Sequence, residues 1–319
     1  MQRRFNMSYE NDINTLMQGA IDMHVHLNPH MAPDTHIMDI EQYVAEARKA
    51  GMRGAVVKDA AFPTTGTTYL ANKHSDDVKL FGSIALNWFV GGINADAVEA
   101  ALHHGDGAKV IFFPLGDSYQ HICARERFYR GINPPRPKEK GIRVLRDGKL
   151  IPEAIEILDI IAKEDVCLAT GHLSPEESKA LVGEARRRGV NKIIVSHALW
   201  KMIGFTHEEL IELADQGAYI EFEFGMCLPI MYFNHGEPAV NPLETAALMH
   251  RIGPERCLMS TDCGQIYQVS PVEAMRYFIS VMLKCDMMPE EIELMVRKNP
   301  EILLGLPEWK PTAEGGVLL

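Results

Sequence analysis

Eight short runs rich in Val, Ile and other apolar residues recur along the chain, each followed by a stretch of helical character, and this alternation most constrains the fold. The runs occupy residues 20–27, 54–59, 80–87, 109–114, 166–172, 192–197, 218–224 and 257–262. Near-continuous apolar strands between amphipathic helices make a parallel sheet covered on both faces, because each crossover helix buries its apolar stripe against the sheet. Eight such units close into a (β/α)8 TIM barrel, the predicted fold. An open doubly wound sheet is the alternative. The first run is not followed by GxGxxG, which disfavours a dinucleotide-binding fold.

The helical stretches carry recognisable starts. Asp39, Asn94, Ser174, Thr206, Asn241 and Ser270 stand where a side-chain oxygen can accept from the orphan amides of a first helical turn. Pro175, Pro242 and Pro271 follow at the first helical position, with acids behind them. One connection is far longer than the rest. Residues 115–150 form an insertion after the fourth run, and loops of that length usually serve as lids or binding elements. Within it, Asp147-Gly148 between β-forming neighbours predicts a hairpin. Nine Lys and Arg against four acids give this loop a net positive charge that suits an anionic substrate, although a solvated surface would look the same. A short helix is predicted over 289–298. The expectation is one domain over 1–319, with the barrel core at about 20–287 and a C-terminal extension over 288–319.

Bulk properties narrow the function. At 319 residues with 46% hydrophobic and 24% charged content, the chain has the composition of a globular protein. A net charge of -11 argues against nucleic acid as a partner, since phosphate backbones are held by clustered cations. The six cysteines include no CxxC pair, and no stretch is long and apolar enough to span a membrane. A cytoplasmic enzyme acting on a small molecule, with no membrane partner and assembled as a homo-oligomer, is the expectation.

The ends of the runs hold the chemistry. His24 and His26 close the first, Lys58 ends the second, and His172, His197 and Asp262 end the fifth, sixth and eighth. In a barrel those ends meet at one mouth, where such enzymes work. Side chains two apart on a strand share a face, so Asp22, His24 and His26 are expected on one side. Ile21, Met23, Val25 and Leu27 would then pack outward against helices. Two neutral imidazoles converging on a point are ligands for a divalent metal. Glu221 and Glu223 share the inward face of the seventh run with Tyr219, where they can orient ligating histidines or touch substrate.

In type, order and spacing, the motifs Asp22-Met23-His24-Val25-His26, Thr170-Gly171-His172, Val195-Ser196-His197 and Ser260-Thr261-Asp262-Cys263-Gly264 resemble the amidohydrolase superfamily of metal-dependent barrel enzymes. The resemblance spans roughly residues 20–305, including Asn299-Pro300-Glu301, and is nearest the phosphotriesterase and dihydroorotase-like branches. It implies that His24, His26 and Asp262 hold one metal and His172 and His197 a second. The superfamily's bridging carboxylated lysine usually ends the fourth strand, where this chain has Phe112, Phe113 and Pro114, and Lys109 sits at the far end. Lys58 is the candidate bridge, because a lysine buried among apolar neighbours loses its charge and its neutral amine can add carbon dioxide. A buried ammonium paired with Asp262 or Glu223 is the other reading of Lys58.

The resemblance implies a hydrolase in which zinc, or manganese or iron, lowers the pKa of water to near neutrality. Asp262 would move the proton from water to the leaving group of an amide, lactone or ester. A mononuclear decarboxylase with one metal and an unmodified Lys58 is the runner-up, and a metal-loaded scaffold or sensor comes third. Tyr119, Arg125, Arg130, Glu223 and Gln265 are the candidates for holding substrate, the arginines suiting a carboxylate or phosphate.

Overall fold

The computed structural model describes residues 8–30, 36–128, 136–229 and 238–310. All eight predicted strands form: β1 Ile21–Val25, β2 Gly54–Val57, β3 Lys79–Ala85, β4 Ala108–Phe112, β5 Cys167–Ala169, β6 Ile193–Val195, β7 Tyr219–Glu223 and β8 Cys257–Ser260. They lie parallel in chain order in one sheet. Backbone bonds close the ring between its first and last strands. The Asp262 amide donates to His24 O and the His26 amide to Cys263 O, each at 2.9 Å. The fold is therefore the predicted (β/α)8 barrel.

Helix starts follow the sequence signals. Asp39, Ser174 and Thr206 complete capping boxes with Gln42, Glu177 and Glu209, while Asn94, Asn241 and Ser270 each accept a first-turn amide. The hairpin also forms, pairing Leu145–Arg146 with Lys149–Leu150. Its Asp147 and Gly148 both have positive φ, as a two-residue turn of this hand requires. The insertion adds a helix, Tyr119–Phe128, that the sequence signals did not predict.

Two apolar layers result. Val56, Phe81, Val110, Phe112, Ile194 and Leu258 fill the barrel interior, while Val57, Ile84, Ile111, Val195, Ile220 and Met259 pack outward beneath the helices. The chain after Met288 stays helical further than predicted, through a π-type turn at Leu294–Lys298 and on to Asn299–Leu304. Leu303 and Leu304 join the interior layer, Cys167 Sγ lies 3.1 Å from Leu303 O, and Arg53 donates to Glu301 at 2.7 Å. This tail seals the end opposite the mouth. Lys109 faces a cavity of about 450 Å³ there, with Arg53, Lys79 and Leu306.

Strict alternation fails on β1. Asp22 pairs with Ala55 but Val25 with Val57, so β1 carries one extra residue, a β-bulge. Ile21 and Met23 consequently point into the barrel, and only Val25 and Leu27 face the helices as expected. Asp22 is on the opposite face from His24. Its carboxylate accepts the Thr261 amide at 3.0 Å and the Thr261 hydroxyl at 2.6 Å. Burial raises its pKa to about 7, so Asp22 is a seam residue between β1 and β8.

Candidate metal centre

The bulge turns His24 and His26 toward the mouth, and three other backbone departures do the same for their partners. Gly171 has φ +61°, and a side chain there would lie 2.3 Å from Phe113 O, so only glycine lets the chain turn at His172. His197 and Asp262 themselves adopt left-handed φ of 59° and 49°, a region that His, Asp and Asn enter more readily than other side chains. Strain at such positions persists where surrounding contacts over-determine it. At His197 the contact is Glu223, whose Oε1 accepts the His197 amide at 2.7 Å and lies 3.1 Å from its Nδ1.

All six predicted ligands are buried and meet at the mouth. Asp262 Oδ1 lies 3.0 Å from His24 Nε2 and 2.9 Å from His26 Nε2. Lys58 Nζ is 2.8 Å from His24 Nε2 and 4.9 Å from the Phe112 ring, so Phe112 forms the floor in place of a fourth-strand lysine. His172 and His197 face each other through Nε2 at 3.1 Å, and Asp262 Oδ2 stands 3.9 Å from His197 Nδ1. Ligating atoms of His24, His197 and Asp262 fall within 4.8 Å of one another, as do those of His24, Glu221 and Glu223. Asp262, Glu221 and Glu223 attract the Lys58 ammonium, against the burial that lowers its pKa.

The electrostatics suit a cation. Burial pulls His26 down to about 3 and His172 and His197 well below the usual imidazole range, which leaves them neutral and able to coordinate. Burial also lowers the Lys58 ammonium. Burial opposes charge on Asp262, yet attraction and hydrogen bonds from His24 and His26 hold its carboxyl well below the carboxylate range. At His24, burial and Lys58 disfavour a proton, but Asp262 and Glu221 more than offset them and the pKa rises. The same two carboxylates place negative charge where a cation would sit. His24 Nδ1 and both Glu221 oxygens are buried without hydrogen-bond partners, further orphans that a cation and its ligand shell fit.

A family model matches residues 19–221, about two thirds of the chain, and its description is "Family of unknown function (DUF6282)". The chain belongs to DUF6282. That match runs from just before β1 to Glu221 on β7, so it takes in His24, His26, Lys58, His172 and His197 of this DUF6282 protein and stops short of Asp262. No curated protein matches it in sequence. In structure it is similar to the probable dipeptidase PvdM from Pseudomonas aeruginosa, at 11% identity and TM-score 0.62 over 94% of this chain and 98% of that one. It is similar also to an amidohydrolase from Burkholderia multivorans with bound zinc, at 10% identity and TM-score 0.60 over 90% and 99%. A 2,6-dihydroxybenzoate decarboxylase matches at 11% and 0.53 over 91% and 100%. The DUF6282 chain thus has the fold of the amidohydrolases.

Its insertion reaches the centre through residues that strand-end reasoning did not single out. Ser118 donates to His172 O at 2.8 Å and accepts the His121 amide at 3.0 Å. His121 Nδ1 then lies 2.8 Å from His172 Nδ1, with the rings stacked at 4.9 Å. Trp200 packs edge-on against His172 and His197. A serine three residues before a histidine in a long loop is too common a pattern to have marked this pair. Of the substrate candidates, Tyr119 lies under the Arg143 guanidinium at 3.3 Å. Arg125 is half-buried on the same helix, and Gln265 pairs through its backbone with His36. Arg130 lies outside the described residues.

Proposed function

We propose that this protein is a metal-dependent hydrolase that cleaves an amide, lactone or ester bond of a small anionic substrate. The observation that carries the reading is the approach of His24 Nε2 and His26 Nε2 to one Asp262 oxygen beside the neutral His172–His197 pair, a donor set from four strands. His24, His26 and Asp262 would hold one zinc, manganese or iron ion and His172 and His197 a second, with Lys58, as its carbamate, between them. A cation so held supplies Lewis acidity and lets water act as a nucleophile near neutral pH. Asp262, ionised and facing both histidine pairs, is placed to take the proton from water and return it to the leaving group. Glu223, which accepts the His197 amide at 2.7 Å, holds that residue at the site. Phe112 beneath Lys58 and Trp200 against His172 and His197 give the site apolar walls.

Metal analysis of protein prepared with bicarbonate and zinc, beside Lys58→Ala, tests this. Loss of at least one ion per chain in the variant supports the bridged hydrolase. The second reading, a mononuclear decarboxylase, is favoured by the 2.8 Å approach of the Lys58 amine to His24, which an unmodified lysine fills. An ion count unchanged by Lys58→Ala would favour that reading and sink the first.

A further inference from the structure

Beside the mouth, the segment after β1 brings together histidines that the proposed reaction leaves unused. The His30 and His36 rings lie 4.0 Å apart at 30°, with His26 at 5.9 and 6.2 Å, and one ligating nitrogen of each ring falls within 4.8 Å of the other two. Neighbouring ligand atoms of a tetrahedral zinc site stand about 3.3 Å apart, as bonds of about 2.0 Å require. The three rings would have to draw together to bind one ion.

The surroundings resemble a built site more than a chance stack. Both ring nitrogens of His30, and Nδ1 of His26, are buried without hydrogen-bond partners. Leaving such atoms unpaired is costly, and a bound ion removes the cost. Asp59 places an anionic group beside His30. Its Oδ1 accepts the Ala61 amide at 2.6 Å and the Phe62 amide at 3.3 Å, which fixes the carboxylate so that Oδ2 stands 3.8 Å from His30 Nε2. His36 is held by backbone pairing with Gln265, and Ile37 donates to Gly264 O at 2.7 Å.

We infer that His30, His36 and Nδ1 of His26, with Asp59 beside His30, form an additional site for a first-row divalent cation that favours imidazole nitrogen, next to the centre at the strand ends. Three imidazoles, with water completing the shell, make a donor set that zinc and cobalt accept. An ion there ties the two ends of the segment after β1 to the end of β2.

Full-length protein freed of metal by a chelator is titrated with Co²⁺, and bound ions per chain are counted by elemental analysis after gel filtration. The double variant His30→Gln/His36→Gln is expected to bind one ion fewer than the parent, and Asp59→Asn to bind that ion about tenfold more weakly. Asp262→Asn is expected to keep the ion that the double variant loses. An unchanged count in the double variant, or loss of more than one ion, overturns the site. Should circular dichroism show the double variant unfolded, the Asp59→Asn arm decides, and parental affinity for every ion in it overturns the site. A parent holding a single ion, kept in Asp262→Asn and lost in the double variant, would sink the proposed reaction centre and leave this site standing.

Discussion

Thr261 and Asp22 lock the barrel where it closes: both the amide and the hydroxyl of Thr261 donate to the fully buried Asp22 carboxylate, at 3.0 and 2.6 Å. The flanking residues on each strand, His24 and Asp262, are thereby brought within 3.0 Å of each other. Thr261→Val keeps the shape and the amide bond but deletes the hydroxyl donor. The expected loss of stability is about 1–3 kcal/mol by urea unfolding, with most of it restored in Thr261→Ser. Equal midpoints for Thr261→Val and the parent would mean that the hydroxyl contributes nothing at the seam.

Gly264 sits one turn further along that seam, at φ +133°, where an added Cβ would lie 1.8 Å from His26 O. Because backbone cannot swing aside, Gly264→Ala is expected to separate β1 from the segment after β8. Its cost should be well above the roughly 1 kcal/mol expected of Gly148→Ala, whose φ is also positive but which meets nothing within 4 Å. Thermal unfolding of the two variants side by side checks the ordering. Equal melting temperatures would contradict it.

His121 braces His172 from the insertion through the 2.8 Å contact between their Nδ1 atoms. Groups that hold a ligand's second nitrogen commonly contribute tenfold to a hundredfold in metal affinity. His121→Phe, which preserves a ring in the stack, is expected to weaken zinc binding by about tenfold or more while leaving the melting temperature of the metal-free protein close to the parent's. Competition with a chromogenic chelator measures the affinity, and a parental value would remove His121 from the centre's support.

Cys167 lies inside the barrel, and burial pushes its thiol up to about 12. It should resist a disulfide reagent at pH 8 until the chain unfolds, since thiolate is the reacting form. The raised folded pKa also sets a sign. Below about 8.5 both folded and unfolded states carry the proton and the contribution is fully present; as pH rises from there toward 12, the unfolded chain ionises first and stability falls. Cys167→Ala is expected to flatten the alkaline limb of a stability profile between about pH 8.5 and 11. A limb of unchanged slope would assign the alkaline loss to other groups.

How much was legible depended on whether a signal was local. The eight strands, the six helix caps and the Asp147-Gly148 hairpin each rest on periodicity or turn chemistry within a few residues, and each appears in the structure. That the six strand-end candidates would meet was legible because a closed barrel gathers those ends whatever the details. The extra residue in β1, the insertion helix and the His121–His172 contact were not, because each depends on a partner distant in the chain.

Read alone, then, the sequence determined the order of elements and the kind of side chain at each strand end, since apolar pattern and capping oxygens act over one or two turns. Tertiary structure decided where those side chains point. His24 reaches the mouth because β1 bulges against β2, and His197 and Asp262 because Glu223 and the β1–β8 seam hold their backbones left-handed. Such conformations are unfavourable locally and exist only when the closed barrel supplies the bonds that fix them.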